Sequence, residues 1–519
     1  MARYHDKSLE FFSVLPESVI HHILSFLPFK HIGRTSVLSK AWNRIWLNYP
    51  NINLVLHEAV YKLTHPLGRP FLDHVLMFFH QCLFRKACVH KMHINISVSD
   101  LERYSPILGH MFSAAIERNV SELVIKVRCY KSMVWYSVPA EVVLSHSLKV
   151  LELVGCTLGD RIANFDLAHL QKFKICSCRF ANEDGLSRII CGCPKIEFLE
   201  VSDCMGLGSF LSIPSKSRLK SFKIVCNLEP NRIRIFTPSL ETLYCFGIKP
   251  CSIDFACCTR LKRLGLGGDI DSADFVHIQN FLSKLCYIEE FKLLCYRGLD
   301  KFQISSSRLK RLIIEGISIF PGAEIDTPNL RSLEFISSWE CSSNLWFCSW
   351  NVPKLEEFHM ALSVENFQSA CRGGVKGFLM KLRNYEGLKL LIQWLHDEGG
   401  DFIMHEKLHA VPFSALNKFL KRVKPSNVII SSKRDESLFT NMLGDWKGKT
   451  NLSLISSSRR NIEVLHKRLS IDESIMCSYS ECKLVPIEEV KHKKDPVFKS
   501  FLRMQSKNGY HCAGIIFTK

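Results

Sequence analysis

The chain has 519 residues, of which 47% are apolar and 23% charged, with a formal net charge of +18. This length exceeds what one hydrophobic core supports, and the apolar fraction excludes an intrinsically disordered chain. The first 13 residues lack a secretion signal, and no apolar run approaches the roughly 20 residues of a membrane helix, so we expect an intracellular protein, cytoplasmic or nuclear or both, with its 22 cysteines reduced.

Residues 13–54 predict three short helices. Pro16 suits a helix start because its missing N–H needs no partner there. The first helix has one apolar face and ends at Pro28; the face comprises Val19, Ile20, Ile23, Leu24 and Leu27. Further helices are expected over His31–Leu38 and Ser39–Leu47. A unit this small has little core of its own, so we expect it to need a partner or a neighbouring domain.

Two segments of this module carry a family resemblance. Leu15–Pro28 (LPESVIHHILSFLP) and Arg34–Trp42 (RTSVLSKAW), followed by Trp46, resemble the two halves of an F-box in the version found in plant F-box/leucine-rich-repeat proteins. Ala41 departs from the family, which usually has a basic residue there. The resemblance implies that certain residues bind or support binding of the small adaptor that links F-box proteins to cullin: Leu15, Pro16, Ile20, Ile23, Leu24, Leu27, Val37, Leu38 and Trp42.

A repeat follows the module. Leu148-x-x-Leu151-x-Leu153-x-x-Cys156-x-Leu158 fits the leucine-rich-repeat frame, and the core L-x-x-L-x-L recurs with starts at residues 148, 170, 196, 219, 240, 261, 288, 309, 330 and 355. Weaker copies start at Val89 and Val120. Each core predicts a short strand whose alternate side chains point inward, and stacked repeats bury one another's apolar faces. The pattern therefore predicts an α/β solenoid, with an F-box module over 1–54 and repeats over 55–366.

The cysteines have two interpretations. Cys156, Cys178 and Cys204 fall at the Asn/Cys position of the frame, with Asn227 one repeat later, which favours packing in the core. Zinc binding is the alternative for Cys176-x-Cys178, Cys191-x-Cys193 and Cys257-Cys258. Structural zinc sites space each pair by two to four residues, so the gaps here favour packing.

The C-terminal part is predicted to be a mixed α/β region over 367–519 that caps the repeats. Phe378–Leu395 looks helical; a helix over Ser414–Val423, a strand over Val428–Ser431 and a helical segment over Glu436–Trp446 are expected to follow. Residues 401–519 hold 21 Lys and Arg against 12 Asp and Glu, so half of the net charge lies there. Since no aromatic pattern accompanies the charge, a solvated surface is favoured over nucleic-acid binding.

Three short motifs suggest chemistry that their context does not support. His405-Glu406-Lys407-Leu408-His409 matches H-E-x-x-H of zinc peptidases, but flanking Gly399-Gly400 and Pro412 leave room only for a short helix. Gly444–Thr450 has one residue too few between its glycines for a phosphate-binding loop. Lys491–Lys494 is a short basic run typical of a solvated face.

We therefore predict a non-catalytic substrate-recognition subunit of an SCF-type cullin-RING E3 ubiquitin ligase, whose F-box binds the adaptor and whose repeats bind a substrate protein. It needs no catalytic residue, cofactor, metal or membrane. Two alternatives stay open from the sequence: a repeat protein that binds a small molecule or phosphate at its basic surface, and a zinc peptidase at His405–His409.

Overall fold

The structure is a computed structural model that describes residues 15–27, 29–58, 68–86, 88–131, 134–159, 165–214, 218–226, 230–295, 302–315, 321–336 and 346–363, together with five later strands. Backbone contacts divide the chain into two units. Unit 1 comprises residues 1–242 and 253–258, and unit 2 comprises residues 243–252 and 259–519.

The helices of the described residues concentrate in the first half of unit 1. They are α1 Glu17–Leu24, α2 Phe29–Thr35, α3 Lys40–Asn48, α4 Gly68–Arg85, α5 Leu101–Glu117, α6 Ala140–Val143 and α7 Gly185–Gly192 in unit 1, with α8 Ser272–Lys284 and the 3₁₀ turn Pro250–Ser252 in unit 2. Among the residues that the structure describes, no helix is both long and apolar enough to cross a bilayer.

Unit 1 is built on parallel strands that pair in chain order. The main sheet consists of β1 Asn51–His57, β2 Lys91–Val98, β3 Glu122–Cys129, β5 Val150–Val154, β7 Lys172–Cys176, β9 Phe198–Ser202 and β11 Ser221–Val225. Two smaller parallel sheets consist of β4 Tyr136–Ser137, β6 Cys156–Leu158 and β8 Arg179–Phe180, and of β10 Phe210–Ile213, β12 Arg232–Ile235 and β14 Ile253–Asp254.

The repeat frame explains this ladder. Leu151 pairs in register with Phe173, and Phe173 with Leu199, and all three side chains are fully buried. The residues between them, such as Glu152, are only half-buried on the opposite face. The predicted alternation of inward and outward side chains is present, and the ladder starts earlier than the ten clear copies, at Asn51. The solenoid as a whole stays a prediction.

The frame cysteines pack inward, as predicted. Cys156, Cys178 and Cys204 are at most 8% exposed, and the backbone N–H of Cys156 donates to Sγ of Cys178 at 3.4 Å. Burial raises the pKa of the Cys204 thiol to about 12. The residues that the structure describes contain no group of three or more His, Cys, Asp or Glu side chains able to hold a metal ion. Asn227 lies outside them.

Unit 2 continues with the same kind of parallel pairing. Its strands are β13 Thr242–Phe246 (whose first residue belongs to unit 1), β15 Arg263–Gly268, β16 Glu290–Cys295, β17 Phe302–Ser305, β18 Arg311–Glu315, β19 Pro321–Asp326, β20 Ser332–Ile336, β21 Trp346–Asn351, β22 Glu357–Ser363, β23 Lys389–Leu395, β24 Asn427–Ser432, β25 Asn451–Ser456, β26 Glu481–Pro486 and β27 Ala513–Thr518. From β15 the main sheet runs parallel through β25 and ends on the antiparallel strands β27 and β26.

The C-terminal predictions have mixed outcomes. Parallel pairing extends well past residue 366, and the helical prediction for Phe378–Leu395 is wrong over Lys389–Leu395, which is strand β23. Met360 of β22 pairs in register with Ile392, so ladder pairing overrides the local apolar pattern. The strand predicted at Val428–Ser431 is present as β24. The described residues do not include Ser414–Val423, Glu436–Trp446, His405–His409, Gly444–Thr450 or Lys491–Lys494.

Candidate functional site

The N-terminal helices form a small module around a compact core. This core comprises Ile20, Leu24, Ile32, Trp46 and Tyr49, with Leu15, Phe29, Trp42, Ile45 and Leu47 packed against it. The helix boundaries follow from local chemistry. Pro16 is the N-cap of α1, and the hydroxyl of Ser39 accepts the backbone N–H of Trp42 at 3.2 Å, which caps α3.

Six large apolar side chains of the same module face outward, and we call them the exposed apolar set: Val19 (40% exposed), Ile23 (40%), Phe26 (76%), Leu27 (44%), Val37 (84%) and Leu38 (59%). The first four follow i, i+4, i+7 and i+8 spacing along α1 and the turn after it. The last two lie in the turn after α2, where the N–H of Leu38 donates to the carbonyl of Thr35. So many exposed apolar residues in about 20 positions indicate a protein-interaction surface.

The structure divides the nine predicted adaptor-binding residues into three groups. Five are exposed: Pro16, Ile23, Leu27, Val37 and Leu38. Leu15 and Trp42 are half-buried against the module core. Ile20 and Leu24 are only 4% and 2% exposed, so they cannot offer a surface to a partner in this arrangement.

The burial of Ile20 and Leu24 has a simple reason. Periodicity places them on one apolar face with Ile23 and Leu27, and it does not say which side of that face meets the module's own core. The set predicted from sequence does not include Phe26, although its position three residues after Ile23 on the helical pattern is a signal that the sequence carries.

Lys86 joins the module to the helix that follows the first strand. The residue is 4% exposed, and its ammonium group donates to the carbonyls of Trp46, Leu47 and Tyr49 at 3.1, 3.2 and 2.7 Å, at the C-terminal end of α3. It also lies 5.1 Å from the centre of the Trp46 ring. Burial lowers the pKa of Lys86 to about 8, partly opposed by nearby thiols. The lysine thus provides hydrogen-bond donors for carbonyls at the end of the helix. Its positive charge also interacts favourably with the partial negative charge of that helix end.

A second contact supports the same junction. The ring of Phe29 stacks on that of Phe79 of α4, with centroids 5.7 Å apart and planes inclined by 28°. Phe29 also packs on Trp46 at 5.2 Å. Each aromatic contact of this kind stabilises a packed junction by about 0.5–1.5 kcal/mol, in addition to the free energy gained by burying apolar area. The module is therefore held to the start of unit 1 by polar and apolar contacts together.

The face of the unit 1 sheet opposite its apolar core carries paired charges. Glu122 accepts from Lys91 and from His93, each at 2.8 Å, and Glu200 lies 2.9 Å from Lys223 and 3.5 Å from Lys174. Burial alone would raise the pKa of Glu200, but the two ammonium groups hold it below its ordinary value. This face is therefore polar, and its charges are paired with one another.

The corresponding face of unit 2 carries a more buried network. The hydroxyl of Tyr244 donates to Glu290 at 2.7 Å, and Nε of Arg311 donates to Glu334 at 3.1 Å. Glu334 and His359 are at most 2% exposed, and the His359 ring lies 3.8 Å from the Glu334 carboxylate. Removing one member of this network would leave a buried charge without its partner, which would lower the stability of the folded state.

Comparison with known proteins agrees with this architecture. The F-box domain family model matches residues 12–53, and the model of the leucine-rich repeats of FBD-associated F-box protein At5g56370 matches residues 108–271. The F-box match includes the exposed apolar set. The repeat match covers the ladder from α5 through β15.

Several curated proteins of Arabidopsis thaliana are similar to this chain. The F-box/LRR-repeat protein At3g18150 is 26% identical over 362 residues, which are 64% of this chain and 73% of that protein. FBD-associated F-box protein At5g44490 is 24% identical over 71% of this chain and 75% of its own length. F-box/LRR-repeat protein At4g14096 is 32% identical, but the alignment covers 44% of this chain and about half, 48%, of that protein. The predicted resemblance to plant F-box/leucine-rich-repeat proteins is therefore confirmed.

Proposed function

We propose that this chain, which resembles plant F-box/leucine-rich-repeat proteins, is the substrate-recognition subunit of an SCF-type cullin-RING E3 ubiquitin ligase. The single observation that carries the proposal is the exposed apolar set, which lies within the residues that match the F-box domain. In this proposal the chain acts as a receptor that binds the adaptor, and it has no catalytic role of its own. The ligase activity of the complex, the protein partners of this chain and its intracellular location all belong to the proposal.

The module supports docking in a specific way. Ile20 and Leu24 hold the helices together from inside, while Ile23, Leu27 and Leu38 present apolar side chains to the adaptor. Laying exposed apolar side chains of helices and turns into a partner's groove is a common recognition mode. The adaptor-binding residues are then Pro16, Ile23, Phe26, Leu27, Val37 and Leu38, with Leu15 and Trp42 as supports.

The repeats supply the other half of the proposed function. Both sheets offer polar, charge-paired faces that could hold a substrate protein, and the Lys86 contacts tie the adaptor-binding module to the first repeats. Ubiquitin transfer then needs no catalytic residue in this chain. The rate would come from holding a substrate lysine close to the ubiquitin-charged enzyme, because proximity converts a bimolecular step into an effectively unimolecular one.

Adaptor binding tests the proposal directly. The full chain is purified with and without Leu27→Asp or Leu38→Asp, and its affinity for the purified adaptor is measured by calorimetry. Fully burying a leucine is worth roughly 1.5–3 kcal/mol, and an aspartate would also lose hydration, so each change should weaken binding at least about tenfold.

The control is Leu144→Asp, because Leu144 is 46% exposed in the repeats and closely matches Leu27 at 44%. This variant should bind the adaptor like the wild type. Wild-type adaptor affinity in both Leu27→Asp and Leu38→Asp, with unchanged circular dichroism, would overturn the proposal.

A further inference from the structure

A basic groove lies along unit 2, at the edge where the strands of its main sheet begin. It has a volume of about 370 Å³. Three cations each lie one residue before a strand: Lys262 before β15, Lys310 before β18 and Arg331 before β20. Arg308 and Lys354 stand three residues before β18 and β22. We call these five residues the edge cations.

Backbone bonds hold the edge cations in register. The backbone N–H of Glu289 donates to the carbonyl of Lys262 at 2.8 Å. In the same way, the N–H of Lys310 donates to the carbonyl of Glu289 and the N–H of Arg331 donates to the carbonyl of Lys310, each at 2.8 Å. Neighbouring strands lie about 4.8 Å apart, so five consecutive repeats spread the cations over about 20 Å. The repeat geometry therefore presents a fixed row of charges and not a random cluster.

The groove is strongly positive. Glu289 is the single carboxylate among the residues that line it, against five cations. Glu289 lies 2.7 Å from Lys310, and Arg331 lies 3.8 Å from Glu356 outside the groove. Both pairs are more than half exposed, so they contribute little stability and exchange partners easily.

Two of the edge cations are poorly neutralised. Nζ of Lys354 donates at 2.7 Å to the amide oxygen of Asn329, which carries no charge. Within the part of the chain that the structure describes, Arg308 has no ion pair, and its backbone N–H bonds only to the hydroxyl of Ser306. Both side chains are exposed. A negatively charged partner could therefore pair with them without first breaking an existing salt bridge.

We propose that this groove binds an extended acidic peptide segment. The length of the cation row favours an extended chain over a compact anion, because about 20 Å corresponds to about six residues in extended conformation. A single phosphate group would reach only one or two of the cations. Assigning the groove to substrate capture rests on the proposed function, whereas peptide binding itself can be tested alone.

The test uses the full chain and a fluorescein-labelled peptide of about ten glutamates, with binding followed by fluorescence anisotropy at about 0.15 M salt, where the screening length is about 8 Å. The test variant is Arg308→Glu/Lys354→Glu. The control is Lys195→Glu/Arg218→Glu, which changes one lysine and one arginine at the same repeat position in unit 1, three residues before β9 and β11. The two variants have the same net charge.

We expect the test variant to lose at least about tenfold in affinity for the peptide and the control about twofold or less. The reason is that salt screens the interaction between the bound peptide and charges that lie more than a screening length away from it. Equal losses in both variants would show attraction by net charge alone and would overturn the proposal. So would stronger displacement of the probe by pyrophosphate, or by an oligothymidylate of equal charge, than by unlabelled peptide. Adaptor affinity, measured on the same samples, should not differ between the variants and the wild type. If the wild type did not bind the adaptor at all, that result would count against the proposed function and not against the groove.

Discussion

Lys86 offers a quantitative test of how the N-terminal module is attached. Its pKa is about 8 in the folded protein against an ordinary 10.5, because burial disfavours the charged form. Below pH 8 both folded and unfolded chains hold this proton, and the folded state carries the full cost of the buried charge. Between pH 8 and 10.5 the unfolded chain binds more protons, so stability must rise with pH.

The size of the rise follows from the shift. The difference of about 2.5 pKa units corresponds to about 3 kcal/mol in total, and the step from pH 7.5 to pH 9.5 covers about 2 kcal/mol of it. Two variants separate titration from hydrogen bonding. Lys86→Met removes the proton and the three donated bonds, whereas Lys86→Arg keeps donors but stays charged at both pH values.

The assay is urea unfolding, followed by tryptophan fluorescence, of wild type and both variants at pH 7.5 and 9.5. Groups that titrate far from Lys86 affect all three proteins equally, so they cancel in the differences. The wild type should gain about 2 kcal/mol relative to each variant as the pH rises. The same pH dependence in all three proteins would refute a buried, charged Lys86 at the end of α3.

Two further predictions use matched pairs of residues. Ile20→Ala should lower the free energy of unfolding by about 2–4 kcal/mol because Ile20 is 4% exposed in the module core, whereas Leu38→Ala at an exposed site should change it by less than about 0.5 kcal/mol; urea denaturation measures both, and similar costs would contradict the assignment of core and surface. Gly155 has φ +71°, and a Cβ there would lie 2.1 Å from a backbone oxygen of the preceding repeat, so Gly155→Ala should cost about 1–3 kcal/mol. Gly159→Ala, where nothing lies within 4 Å, should leave the thermal midpoint nearly unchanged, and equal shifts would show that the turn at Gly155 tolerates a side chain.

Pattern alone could predict the interior of the ladder. A frame such as Leu148, Leu151 and Leu153 places two apolar groups on one side of strand β5 and a third just before that strand, and each is fully buried in the structure. The resemblance of Leu15–Pro28 to an F-box was equally readable, because a local segment carries the whole motif. In both cases the information lies in residues that are close together in the chain.

Pattern failed where pairing with a distant segment decided the outcome. The segment around Leu391 looked helical, but it forms strand β23 because β22 and β24 offer it a register. Strand β1, at Asn51–His57, was missed for the same reason: its apolar alternation is short, and pairing with β2 fixes it.

The sequence by itself determined that an apolar helical face would precede a ladder of apolar strands. Only the tertiary structure decided which part of that face is interior, since Ile20 meets the core while Ile23 does not. It also decided that Lys86, about 40 residues away, satisfies the end of α3, and that Arg308 and Lys354 share one groove. These facts depend on contacts between residues far apart in the chain, and the periodicity of a short segment cannot predict such contacts.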